Sequence, residues 1–186
     1  MTILYTPKGK DPIAPGNPIS KLERVWSGPV IVIGGGLSAK NNVDKIKSYS
    51  YKKMECCGSL DIGLDAIDFL FFSDSFKLTR RVAATPETYL FSRGYIADPD
   101  DKLLICKRHW FYWNEKLLRV SSREMFTGPV AIRCALFLGF SPVYFIGMDG
   151  GELGNCKHHY DDSKRKVTAL QKEYPDIVIP LIADSN

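Results

Sequence analysis

Long hydrophobic runs, paired cysteines and a strong excess of one charge are all missing from this 186-residue chain. No apolar stretch approaches the roughly 20 residues that a membrane-spanning helix needs. The N-terminus, MTILYTPKGKDPIAPGNP, lacks the charged-then-apolar layout of a signal peptide. The net charge of +4 comes without the basic and aromatic layout of a nucleic-acid-binding module. We therefore expect a cytoplasmic protein without a membrane span.

The five cysteines are odd in number and scattered, and no C-x-x-C pair occurs among them. A zinc ribbon would need C-x-x-C pairs, and a disulfide framework is typical of an even number of cysteines at regular spacings, so neither is predicted. Cys56 and Cys134 stand in apolar surroundings and are predicted to be core residues. Cys156, His158 and His159 form at most a partial set of metal ligands, because no fourth ligand stands at a recognisable spacing. We expect neither a metal site nor a cofactor.

An N-terminal segment rich in Pro, Gly and Lys, residues 1–24, precedes a series of short apolar runs. We expect this segment to be an extended arm and residues 25–186 to form one α/β domain. The runs have the length of strands and mostly do not alternate, as is typical of strands buried on both faces. The stretch Glu87–Lys116 shows no pattern that assigns it to an element. The runs are Val30–Ile33, Met54–Cys57, Phe69–Phe72, Val82–Ala84, Leu103–Cys106, Val143–Ile146 and Ile177–Ile182.

Helical patterns lie between several of these runs. The first is predicted over about Ser38–Ser48, with Ser38 as its N-cap. The second is predicted over Thr127–Phe140, where Thr127 is the N-cap and Gly139 ends the helix. The third is predicted over about Asp162–Glu173. The alternation of strands and helices predicts a single Rossmann-like, doubly wound domain, with a mainly parallel sheet and helices on both faces.

The segment VIVIGGGLSAK, residues 30–40, ends a buried strand in three glycines and opens a helix. A P-loop needs G-K-[ST], whereas the chain has A-K-N, so a P-loop is excluded. Gly34-x-Gly36-x-x-Ala39 fits the loose dinucleotide fingerprint, which also needs an acidic residue at the end of the next strand. Glu55 is near the right distance but lies inside its run. An NAD(P)-binding Rossmann oxidoreductase therefore stays an alternative.

The same turn can also cradle an anion, because backbone N–H groups at a helix N-terminus, with a hydroxyl beside them, favour a phosphate. A tight connection that binds nothing is the other interpretation of these glycines. Two further strands end in polar residues, at Ser73–Ser75 and at Gly147–Gly151. Ligands of open α/β sheets bind outside the carboxyl ends of strands. We therefore expect a nucleotide-like ligand there, with Lys40 and Arg123 neutralising its phosphate.

Four segments follow one another along the chain: VIVIGGGLS, AIDFLFFSDS, TGPVAIRCALFLGFSPVYFIGMDG and, after a His-Tyr pair, IVIPLIADSN. In sequence and order, these segments resemble those of the bacterial sialyltransferases that use CMP-sialic acid. They also resemble the wider group of motility-accessory proteins implicated in flagellin glycosylation. The resemblance implies a metal-independent glycosyltransferase-like protein that transfers a sugar from an activated nucleotide donor, such as a CMP-sugar, to an acceptor. The acceptor, whether glycan, protein or modified base, and homo-oligomer formation are left open.

The resemblance also implies roles for individual positions. The glycine turn would lie against the phosphate of the donor, Thr127 and Gly128 against its phosphate or sugar carboxylate, and Asp149 near its ribose or base. The chain departs from these relatives at Leu37, where they carry Pro, and at Ser59, near where they carry Asn. The segment between Asp149 and the last helix is also short. Because of this short segment and the missing Asn, a relative that binds a nucleotide or a partner protein without catalysis is a third alternative. The predicted nucleotide-binding residues are Gly34, Gly35, Gly36, Ser38, Ser59, Asp74, Thr127, Gly128 and Asp149.

Two of the three histidines follow the strand that ends near Asp149, in a stretch interpreted as a loop. His159, with His158 as the second candidate, is predicted to be catalytic, because imidazole titrates near neutral pH and can act as a general base or acid. Tyr160 follows directly and could donate a hydrogen bond to the same phosphate. His109 stands among large aromatic residues and is predicted to be a packed or surface residue.

Overall fold

The structure is a computed structural model that describes residues 17–56, 63–72, 87–93, 109–120, 126–149 and 157–181, with the backbone alone for 157–163. These residues form a sheet of eight parallel strands in the order β1-β6-β5-β4-β3-β2-β7-β8. The strands are β1 (Asn17–Pro18), β2 (Val30–Ile33), β3 (Lys52–Cys56), β4 (Phe69–Phe71), β5 (Tyr89–Arg93), β6 (Trp110–Trp113), β7 (Val143–Ile146) and β8 (Val178–Pro180).

Five α-helices and one 3-10 helix accompany the sheet in the described part of the chain. The four apolar residues of β2 are all buried, and their side chains point alternately to the two faces of the sheet. Both faces are therefore covered. Val30 and Val32 belong to one core cluster, and Ile31 and Ile33 to another. The helices are the 3-10 helix Ile19–Leu22 and α1 (Leu37–Lys40), α2 (Val43–Ser48), α3 (Glu115–Leu118), α4 (Thr127–Leu138) and α5 (Lys157–Glu173).

The two clusters lie on opposite faces of the sheet. On one face, Ala39 of α1 and Ile46 of α2 pack with the isoleucines of β2. On the other, α4 and α5 contribute their apolar residues, including Val130 and Val167, to the cluster that holds the valines of β2. Helices on both faces of a parallel sheet make the domain a doubly wound, Rossmann-like α/β fold, so the predicted fold class is confirmed.

The helix α4 is buried on most of its surface, as its nearly uniform apolar sequence predicted. Thr127 is its first residue, and the N-cap position belongs to Phe126 instead. At the other end, Gly139 has φ +100, a left-handed conformation that glycine adopts without strain. A Cβ there would lie 2.4 Å from the carbonyl oxygen of Trp26. The helix therefore ends where predicted, against the segment that leads into β2.

The helix predicted over Ser38–Ser48 is divided in two, and its N-cap position is Gly36. The division comes at Asn42, whose side-chain amide donates to the carbonyl oxygen of Ser38 at 2.9 Å. In a continuous helix that carbonyl would accept from the backbone N–H four residues later. An asparagine side chain that competes for a backbone acceptor interrupts a helix in this way.

Parts of the chain that carried no clear pattern also enter the sheet. The stretch Glu87–Lys116 provides β5 and β6, and Asn17–Pro18, placed in the arm by the sequence, forms β1 beside β6. Ile19 is fully buried, so residues 17–24 pack as part of the domain. The predicted runs Val82–Ala84 and Leu103–Cys106 lie outside the described residues.

Cys56 and Cys134 are both buried, which confirms their predicted place in the core. Burial raises the pKa of the Cys134 thiol well above its usual value, since the thiolate would lose its hydration there. His109 stacks on Tyr89 with ring centroids 4.5 Å apart, as a packed residue. In the described part of the chain, no helix combines the length and the apolar character needed to cross a membrane.

Candidate functional site at the carboxyl ends of β2 and β7

The carboxyl ends of β2 and β7 lie side by side, with Ile33 paired in register with Ile146. From β2 the chain moves to β3 on one side of the sheet, and it later returns to β7 on the other side. Such a reversal leaves a crevice between the connections, and ligands of open α/β sheets bind in that crevice. The residues that follow Ile33 and Ile146 are therefore the candidate site.

Three glycines bring the two strand ends into close backbone contact. The N–H of Gly34 donates to the carbonyl oxygen of Ile146 at 2.8 Å, and the N–H of Gly36 donates to that of Gly147 at 2.9 Å. A Cβ on Gly34 would lie 2.4 Å from the Gly147 oxygen. Gly147 has φ +75, and a Cβ on it would lie 2.3 Å from the Gly34 oxygen. The packing of the two turns by itself excludes a side chain at both positions.

The glycine turn holds the carboxylate of Asp149. The backbone N–H of Ser38 donates to Asp149 Oδ2 at 3.0 Å, and the Ser38 hydroxyl donates to Oδ1. The same hydroxyl oxygen accepts from the N–H of Gly147 at 2.9 Å. A Cβ on Gly36 would lie 2.7 Å from Oδ1, so this glycine makes room for the carboxylate. An internal anion thus lies against the turn for which the sequence predicted a phosphate.

Part of the site faces solvent and is available to a ligand. Asp149 and Lys40 are exposed, and Leu37 is an apolar side chain that is 57% exposed. Each carboxylate oxygen accepts more than one hydrogen bond, so Asp149 keeps acceptor capacity beside Ser38. The N–H groups of Gly35 and Leu37 donate to no described residue. The arrangement offers an acceptor for ligand hydroxyls, two backbone donors and a nearby ammonium group.

Thr127 and Gly128 lie at the start of α4, on the face of the sheet opposite to α1. Since α4 leads into the beginning of β7, it runs antiparallel to the strands, and its first turn lies at their carboxyl ends. Gly128 is buried. These two residues therefore share an edge of the sheet with Ser38 and Asp149 but approach it from the other face.

The predicted catalytic histidines lie in a helix and not in a loop, which corrects the sequence interpretation. His158 and His159 are the second and third residues of α5, which begins at Lys157 and not at about Asp162. The sequence of the first turns of α5, KHHYDDSKRK, is almost entirely polar, so hydrophobic periodicity gave no sign of them. Because α5 leads into β8, its first turn lies at the carboxyl edge of the sheet, as Asp149 does. Ser59, Asp74 and Arg123 lie outside the described residues.

Glu55, the acidic residue of the alternative dinucleotide site, lies within β3 and pairs in register with Ile33. Its side chain is only 4% exposed. A ribose-binding carboxylate has to be presented at the end of its strand. Glu55 is instead enclosed beside the last residue of β2. Among the described residues, no group of three or more His, Cys, Asp or Glu is arranged to hold a metal ion.

The contact between Ser38 and Asp149, 111 residues apart, could not be found from the sequence, because no motif couples the two positions. Gly147 was visible only as part of a polar strand end. Its exact partner, the backbone of Gly34, depends on strand order, and a single sequence does not give the order of strands that are far apart in the chain. Sequence patterns predicted most residues of this site, and the structure shows that several of these residues form hydrogen bonds with one another.

Replacing Ser38 with Ala keeps the backbone N–H that donates to Asp149 but removes the hydroxyl, which is the second donor to Asp149 and the acceptor for the buried Gly147 N–H. We expect Ser38→Ala to lower the free energy of unfolding by about 1–3 kcal/mol, the usual cost of leaving a buried polar group unpaired. Urea unfolding measures the change. Ser48→Ala is the matched control, because Ser48 is exposed and bonds only its own helix through the Lys45 carbonyl. A loss no larger than that of Ser48→Ala, expected within about 0.5 kcal/mol, would contradict the importance of this contact.

Comparisons with known proteins do not identify a function for the candidate site. No model of a known protein family matches the chain, and a search of the curated proteins found no match either. The geometry and charge of the candidate site are therefore the basis for the function proposed below.

Proposed function

We propose that the chain binds a nucleotide or nucleotide-sugar at the carboxyl ends of β2 and β7 and transfers the sugar to an acceptor. In this proposal it is a metal-independent, glycosyltransferase-like protein. The observation that carries it is the exposed carboxylate of Asp149, fixed by Ser38 at the point where the order of strands reverses. Doubly wound α/β folds bind nucleotides at this point of the sheet.

Asp149 fits the ribose of such a ligand better than its phosphate. A carboxylate accepts hydrogen bonds from the paired hydroxyls of a ribose, as acidic residues do in dinucleotide-binding folds. A phosphate placed in the glycine turn would instead lie beside a like charge, which costs free energy at short range. The phosphate then lies near Lys40 and the N–H groups of Gly35 and Leu37, and not at Gly36 and Ser38, where the Asp149 carboxylate lies.

The site supports this ligand over the nicotinamide dinucleotide of the alternative. The buried Glu55 does not present its carboxylate at a strand end. In the dinucleotide fingerprint, the second glycine lets a pyrophosphate approach the backbone. At Gly36 the corresponding space contains the carboxylate of Asp149. Both features that suggested an oxidoreductase therefore have another role in this chain.

Glycosyl transfer needs few groups beyond those that bind the donor. The acceptor hydroxyl oxygen attacks the anomeric carbon, the bond from that carbon to the phosphate oxygen breaks, and the hydroxyl proton passes to a base. The negative charge remains on the nucleotide phosphate. We assign the base to His159, with His158 as the second candidate, since the first turn of α5 lies at the same edge of the sheet as Asp149. A positioned base contributes roughly 10²–10⁴-fold to such a step.

The ligand class is tested by thermal unfolding with CMP, UDP, GDP and NADH. A ligand that binds only the folded state, at about 100 times its Kd, stabilises by ~2.7 kcal/mol, so even modest affinity raises the Tm. We expect stabilisation by at least one ribonucleotide and its loss in Asp149→Asn, which keeps the shape but removes the charge. Asp176→Asn, at an exposed position in the turn before β8, is the matched control. Stabilisation by NADH alone, or an unchanged effect in Asp149→Asn, would contradict the proposal.

The catalytic assignment is tested by transfer assays on His159→Ala and His158→Ala, with the nucleotide-sugar that binds best. We expect nucleotide binding to persist in both variants and transfer to fall about 10²–10⁴-fold in one of them. Equal transfer in both variants and the parent would show that neither histidine is the base. Clear binding without transfer in the parent would instead favour the non-catalytic relative.

A further inference from the structure

A second cavity, of about 490 Å³, lies at the opposite ends of the strands from Asp149. Its lining includes residues that come just before three strands: Trp26 before β2, Ser141 before β7 and Ile177 before β8. These positions mark the amino ends of parallel strands. The volume is within the range of small-molecule sites, roughly 300–1,000 Å³. The cavity therefore lies apart from the proposed nucleotide site and does not depend on it.

Three arginines, Arg24, Arg119 and Arg133, line this space, which we call the arginine cavity. Arg24 and Arg119 are exposed and form no ion pair with any described residue. Arg133 is paired with Glu173 at 3.0 Å, and Glu23 is the acidic residue of the described lining. Among the described residues, the three arginines thus outnumber the nearby carboxylates of Glu23 and Glu173, and two of the arginines are available to an anion.

The backbone at both available arginines is unusual. Arg24 has φ +54 and Arg119 has φ +53, and no other non-glycine residue in the described part of the chain has a positive φ. Each lies at the end of a helix: the N–H of Arg24 donates to the Phe137 carbonyl in the last turn of α4, and Arg119 is the C-cap of α3. A side chain in this conformation costs about 1–2 kcal/mol, which glycine would avoid. Both strained positions border the same cavity.

Apolar and aromatic side chains complete the lining. Leu117, Leu136 and Phe137 are only partly buried and offer apolar surface beneath the arginines. A hydrogen bond with Glu173 raises the pKa of the Tyr174 phenol, so this residue stays neutral near pH 7 and adds no negative charge to the cavity. An occupant that fits both parts has an apolar body and one anionic group.

We propose that the arginine cavity binds a small amphipathic anion, an aromatic or aliphatic group that carries one carboxylate or phosphate. Guanidinium groups bind these anions through two parallel N–H donors, a geometry that a lysine does not provide. The anionic group lies between Arg24 and Arg119. The apolar body lies on Leu117, Leu136 and Phe137.

The experiment titrates phenyl phosphate into the protein, follows backbone amide shifts by NMR and compares benzyl alcohol and inorganic phosphate. Arg24→Asn and Arg119→Asn remove one charge each, and asparagine tolerates the left-handed backbone. We expect saturable binding of phenyl phosphate with shifts around Leu117 and Phe137, and about tenfold weaker binding in each variant, as for a lost charge-assisted hydrogen bond. Lys45→Asn, at an exposed position on α2, is the control and should bind like the parent.

Several results would overturn the proposal: no saturable binding, equal binding in the Asn variants, or inorganic phosphate binding as well as phenyl phosphate. Binding of acidic peptides without binding of the small anion would also contradict it. Should either variant fail to fold, salt provides the second test, since phenyl phosphate must then bind more weakly at high ionic strength while benzyl alcohol is unaffected. CMP binding should be unchanged in Arg24→Asn and Arg119→Asn, which separates this test from that of the nucleotide site.

Discussion

The carboxylate of Asp149 lies against the turn that follows β2, and its hydrogen bonds with Ser38 join the carboxyl ends of β2 and β7. The Ser38 hydroxyl completes the junction because it also accepts from the Gly147 N–H. Gly34, Gly36 and Gly147 are needed for the close approach of the two turns. The shape and charge of the candidate site and the glycine at position 36 depend on this one interaction, whereas Gly34 and Gly147 are required by the packing of the two turns.

This interaction changes how a glycine-rich turn after a strand is to be interpreted. Such turns suggest a bound phosphate because their backbone N–H groups converge on an anion. In this chain the anion is a side chain supplied by the turn that follows β7, at a position 111 residues from Ser38. The match to a dinucleotide fingerprint is therefore explained by internal packing, and in our proposal the exposed Asp149 contacts the ligand.

The sequence predicted strands at the continuous apolar runs Val30–Ile33 and Val143–Ile146, which the structure reproduces to the residue. It missed β6, although Trp110–Trp113 is also a continuous aromatic run. The prediction did not reach β5, where Ser92 and Arg93 interrupt the apolar residues, or the polar first turns of α5. The members of the candidate site were visible because glycine and polar residues follow buried strands. Their pairing depends on β7 returning beside β2, which no local pattern contains.

A double-mutant cycle of Ser38→Ala and Asp149→Ala tests the central claim, the direct coupling of the two residues, more closely than any single variant. Urea unfolding of the parent, the two single variants and the double variant gives the interaction free energy. The account predicts a coupling of about 1 kcal/mol or more, because contacting residues in one hydrogen-bonded network are not additive. Additivity within about 0.3–0.5 kcal/mol, the behaviour of independent sites, would contradict it.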